Sequence, residues 1–154
     1  MEAQDIPRPR TAAVVRSSII AALSLYIAFV LYLTLGDAFG PGATGSGGTS
    51  FTPFWGMAKS AWHGGRELWI NVVGNVVVFT PLGAAVLGVA PKRGRLWHST
   101  LAGFALSALI ESLQFISGRR VADVDDVTLN TLGAALGFLA ADALRRRLTR
   151  GGRP

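Results

Sequence analysis

Residues 69–90 read WINVVGNVVVFTPLGAAVLGVA and residues 96–116 read LWHSTLAGFALSALIESLQFI, and across both runs Glu111 is the only acidic or basic side chain apart from His98. A bilayer core of about 30 Å needs roughly 20 mostly apolar residues in a helix, and each run is that long. Neither has the polar face a soluble amphipathic helix would show. Working outward, Ser17–Leu35 is a third such run with no charge, and Val127–Leu144 a fourth, interrupted by Asn130 and Asp142. The reading is an all-α, polytopic membrane protein whose four transmembrane helices pack as a bundle.

The rest of the composition agrees. Of 154 residues, 50% are apolar and 16% charged, against about 25% charged in an ordinary soluble domain. Mean hydropathy is +0.41 although the isoelectric point is near 11.1, so the basic residues must lie outside the apolar runs. There is no cysteine, which excludes disulfides, thiolate nucleophiles and Cys-ligated metals. Arg8, Arg10 and Arg16 ahead of the first run imitate a signal peptide, but an h-region is typically about 7–15 residues and ends at small residues. The first helix is therefore read as retained. Residues 36–50 are mostly Gly, Ser and Thr, a composition expected to form a flexible linker separating helix one from the rest.

Charge placement gives orientation. Eleven of the fifteen Lys and Arg fall in residues 1–16, in the connection after the second span and in the tail 145–154, leaving Lys59, Arg66, Arg119 and Arg120 for the other side. By the positive-inside rule both termini are expected in the cytoplasm and the linker outside. Membrane lipids are then the expected partners of the basic tail. Nucleic acid is not, because no aromatic residues interleave with the arginines.

With that topology the polar residues of the spans gather at one end. Asn71 and Asn75 open the second span, Glu111 and Gln114 close the third, and Asp123, Asp126 and Asn130 lie at or before the start of the fourth. All fall within about 10 Å of the outer boundary at 1.5 Å per residue. Asn71 and Asn75, Gly103, Ser107 and Glu111, and Asp126 and Asn130 each repeat at i, i+4, so each set shares a helix face. Gly133 and Gly137 continue the last stripe, and small residues at that spacing allow close helix approach in lipid. Singly, the amides read as interhelical hydrogen-bond partners. Glu111 asks for more, since a carboxylate inside a span is expensive: it is either paired with Arg119 or Arg120, part of a ligand site, or a protonated buried acid. Of Asp123, Asp125 and Asp126, some are expected to cap the fourth helix. No calcium-loop pattern is present.

Trp55, Trp62 and Trp69 recur every seven residues, so either Phe51–Gly64 lies on the outer surface as an interfacial helix, or Trp69 alone anchors the second span. Acid–base chemistry by Glu111 and an aspartate is conceivable, yet the serine, HExxH and lipid-phosphatase motifs are missing and His63 and His98 are expected on opposite faces. No catalytic residue, metal ligand or cofactor is assigned.

Asn75-x-x-x-Phe79-x-Pro81-x-Gly83, then Glu111-x-x-Gln114, then Arg120-x-x-Asp123-x-x-Asp126-x-x-x-Asn130-x-x-Gly133-x-x-x-Gly137 together resemble the signatures of VanZ-like membrane proteins, a family named for a teicoplanin-resistance protein. The resemblance covers residues 51–144. It implies a four-span bacterial cell-membrane protein of the envelope, with a link to glycopeptide susceptibility in the founding member. The expected binding residues are Asn71, Asn75, Glu111, Gln114, Arg120, Asp123, Asp126 and Asn130. The expected packing residues are Gly83, Gly103, Gly133 and Gly137. Asp125 stands outside the pattern and is expected to matter less. A lipid-linked cell-wall precursor or another envelope protein is the expected partner, with an intramembrane acid–base enzyme or a structural subunit as alternatives.

Overall fold

The computed structural model describes residues 9–39, 48–50, 65–90, 95–118 and 121–151. Four long helices account for most of them: α1 (Pro9–Phe39), α2 (Arg66–Val89), α3 (Arg95–Ser117) and α4 (Val124–Gly151). Each contains a stretch long and apolar enough to cross a membrane. Their large apolar side chains are widely exposed, as at Leu25, Tyr32, Trp69, Trp97 and Ile116. In water that would be untenable; in a bilayer these are the lipid-facing positions, and the helices satisfy their own backbone groups.

Contacts fix the relative directions. Gly133 and Gly137 of α4 lie on Val76 and Thr80 of α2, in the same order, so α2 and α4 run parallel. Ser99 of α3 reaches Ala134 while Ser107 reaches Asn130, so α3 runs antiparallel to α4. Helix α1 meets α2 where Gly88 approaches Ile19 and meets α3 where Gln114 bonds Thr34, so it is parallel to α3. The α2–α4 pair is the most closely packed, and α1 leans on α2 and α3 through Val30, which joins Phe79, Leu82 and Ile110 in the apolar core.

Several boundaries differ from the sequence reading. Helix α1 continues past Leu35 to Phe39, and β1 (Gly48–Ser50) pairs in parallel with β2 (Val121–Asp123), Gly48 opposite Val121 and Ser50 opposite Asp123. The Gly-rich connection is therefore partly ordered. The pairing has a physical reason: residues between α3 and α4 need partners for their backbone N–H and C=O groups close to the membrane, and β1 supplies them. Helix α4 starts at Val124, one turn before the expected Val127. Gly118 closes α3 at φ 66°, a left-handed conformation that a residue without Cβ adopts freely. The proposed interfacial helix over residues 51–64 lies outside the described residues.

Candidate functional site

The C-terminal ends of α1 and α3 and the N-terminal ends of α2 and α4 share one end of the bundle, and there the polar groups converge. Asp123 is the N-cap of α4: its Oδ1 accepts the N–H of Asp125 at 3.0 Å, satisfying one of the otherwise orphaned first-turn donors. The N–H of Asp123 donates to Glu111 Oε2 of α3 at 2.8 Å. In a capping box the acid that receives the N-cap N–H comes from the same helix, three residues on; here it comes from a neighbouring helix. Glu111, 8% exposed, thus sits at the N-terminal end of α4.

Beside this contact Asn75 Nδ2 donates to Asp126 Oδ1 at 2.6 Å, joining α2 to α4. Gln114 Nε2 donates to the Thr34 carbonyl at 3.1 Å, joining α3 to α1. One turn deeper, Asn130 Nδ2 donates to Ser107 Oγ at 2.8 Å, and further in Ser99 Oγ donates to the Ala134 carbonyl at 2.8 Å. Among the described residues, Asn130 Oδ1 and the Tyr26 hydroxyl are buried with no hydrogen-bond partner.

Glycine makes these contacts possible. A Cβ at Gly83 would overlap the Ala134 carbonyl, one at Gly133 the Val76 carbonyl and one at Gly137 the Thr80 carbonyl. At Gly103 it would come within 2.6 Å of Ala134 Cβ. The α2–α4 interface is therefore backbone against backbone, with α3 nearly as close.

The structure brings together Asn75, Glu111, Asp123 and Asp126, with Gln114 and Asn130 on adjoining contacts. It does not bring in Asn71, which is exposed. Asn75 is already level with Asp126 in the first turn of α4, so Asn71 lies level with chain that precedes the helix. Arg120, with its expected pairing to Glu111, and His63, Trp55 and Trp62 lie outside the described residues. Asp125 is 6% exposed, whereas Asp123 and Asp126 are partly exposed. Ser99 was missed, although Ser99, Gly103, Ser107 and Glu111 continue one i, i+4 stripe. Asp142, at the opposite end, shows in the sequence only as an interruption of the fourth apolar run. Among the described residues, no three His, Cys, Asp or Glu side chains are grouped to hold a metal ion.

Comparison with known proteins yields no match among curated proteins and none among solved structures. At the level of families, residues 23–145 match VanZ/LLP1. That region begins inside α1 and so takes in the C-terminal part of the first helix and the connection after it. The match spans all four apolar helices and every polar residue at the shared end, and the chain belongs to the VanZ/LLP1 family.

Proposed function

We propose that the chain is a multi-pass protein of the bacterial cell membrane with both termini in the cytoplasm, and that its acidic end is an outer-leaflet site for a lipid-linked cell-wall precursor. On this reading any effect on teicoplanin susceptibility follows from holding that precursor. One observation carries the proposal: three helices deliver Asn75, Glu111, Asp123 and Asp126 to one end of the bundle. Interhelical hydrogen bonds in membranes average only about 0.6 kcal/mol, too little to offset several carboxylates near the bilayer, so retaining them favours a functional use. Asp123 and Asp126 are partly exposed, which suits an amphiphile whose polar head meets these groups while its chain stays in the leaflet.

Orientation is tested first, and the absence of native cysteine makes the test clean. Gly47→Cys is expected to react with an impermeant thiol reagent in intact cells and Gly152→Cys only after lysis; the reverse pattern removes the outer site. Binding is tested with the full chain in nanodiscs, titrated with a polyprenyl-pyrophosphate-linked disaccharide pentapeptide. The wild type is expected to gain thermal stability, and Asp126→Asn to fold but lose most of that gain. No shift in the wild type, or an equal shift in Asp126→Asn, overturns the proposal; release of a new product would make the site catalytic instead.

A further inference from the structure

Helix α4 is longer than a bilayer requires. Its 28 residues span about 42 Å at 1.5 Å per residue, against about 30 Å of hydrocarbon. The excess lies at its C-terminal end, where residues 143–150 are exposed and Arg145, Arg146, Arg147 and Arg150 follow in quick succession.

One acid organises this end. Asp142 is 9% exposed, and its two oxygens are used separately: Oδ1 accepts from Arg145 Nη2 and Oδ2 from Arg146 Nε, each at 2.7 Å. The two arginine side chains remain 51% and 64% exposed. Each guanidinium carries five N–H donors in a rigid fork, so one contact to Asp142 restrains the group and leaves its other donors available on a largely exposed side chain. The carboxylate thus holds a pair of cations in place at the membrane boundary.

An apolar track leads to the same point. Leu132, Leu136 and Leu139 of α4 are exposed large apolar residues, spaced four and three apart, which puts them on one helix face. Arg146 follows Leu139 by seven residues, two turns further on the same face. An acyl chain lying along the leucines would therefore bring its headgroup to Arg146 and, beside it, Arg145.

We infer that Asp142, Arg145 and Arg146 form a headgroup site for an anionic phospholipid, the phosphodiester held by the two guanidinium groups and an acyl chain lying along Leu132, Leu136 and Leu139. This site is at the opposite end of the bundle from the proposed ligand site and does not depend on it. It also differs from general attraction of basic residues to acidic lipid. Diffuse attraction depends on net charge and strengthens when an acid is removed, whereas a built site weakens when its arginines lose the acid that positions them.

The test uses the full chain in nanodiscs of phosphatidylcholine alone or with phosphatidylglycerol, reading the difference in thermal unfolding midpoint between the two lipids. Changes in basal stability cancel in that difference. Phosphatidylglycerol is expected to raise the wild-type midpoint by several degrees. The double variant Arg145→Gln/Arg146→Gln should lose most of the rise, and the charge-matched Arg147→Gln/Arg150→Gln should keep most of it. Asp142→Asn should also lose most of it, despite gaining positive charge. Inorganic phosphate added to phosphatidylcholine discs should not reproduce the rise, which would otherwise assign the arginines to a free anion. The inference is overturned by no rise in the wild type, by equal losses in the two double variants, by a larger rise in Asp142→Asn, or by full replacement with inorganic phosphate.

Discussion

Gly133→Leu or Gly137→Leu is expected to prevent accumulation of folded protein, and Gly137→Ala alone to cost most of its stability. A methyl group at either position would overlap a backbone carbonyl of α2, and backbone has no rotamer by which to yield. The helices would have to separate, and in lipid close packing is the main force holding them, because apolar side chains gain nothing by leaving the acyl chains for each other. Overpacking costs roughly 1–3 kcal/mol where side chains can adjust; contact against backbone belongs at or above the top of that range. The loss exceeds what deleting any one interhelical hydrogen bond would cause, about 0.6 kcal/mol on average. Gly74 is the control, since a Cβ there meets nothing within 4 Å. Gly74→Ala should be neutral or gain up to about 1 kcal/mol from helix propensity. Unfolding in mild detergent, monitored by helical circular dichroism and by yield, checks both. If Gly137→Ala is as stable as Gly74→Ala, α2 and α4 do not touch at this point.

The contrast between these glycines shows what a single sequence carries. Length and apolarity identify the four helices, because crossing a bilayer leaves no alternative conformation for such runs. The Gly133-x-x-x-Gly137 spacing marks a contact face, because periodicity within a helix is local geometry. What faces that stripe is not local. Neither the parallel α2–α4 pairing nor the meeting of Glu111 with a backbone N–H, rather than a side chain, is encoded in the spacing of either helix. Asn71 and Asn75 have the same residue type and share a face, yet only Asn75 finds α4, because the register between helices decides where α4 begins relative to α2. The strand at Gly48–Ser50 is illegible for another reason: three residues opening on glycine carry no strand signal of their own, and they are ordered by the backbone of Val121–Asp123 with which they pair.

Replacing Glu111 separates its two uses. Its Oε2 holds the backbone N–H of Asp123, a donor that survives every substitution of Asp123 except proline. Glu111→Leu removes the acceptor and leaves a part-buried N–H without it, an expected loss of about 1 kcal/mol or more. Glu111→Gln keeps an amide oxygen at the same reach, so with respect to this bond it should cost about 1 kcal/mol or less. Asp123→Ala removes the cap to Asp125 and should cost about 1 kcal/mol by itself. Because the bond to Glu111 is made by the backbone N–H of Asp123, Glu111→Leu and Asp123→Ala should add to within about 0.5 kcal/mol. Asn75→Ala and Asp126→Ala, which remove a side-chain pair, should instead be non-additive. A salt bridge to Arg120 would make Arg120→Gln recover part of the Glu111→Gln loss. Measured in nanodiscs, strong coupling between the Glu111 and Asp123 variants, or Glu111→Gln as damaging as Glu111→Leu, would remove the interhelical cap. With the cap in place, a Glu111→Gln protein that folds but no longer responds to the lipid-linked precursor would separate the carboxylate's charge, used on the ligand, from its oxygen, used on the fold.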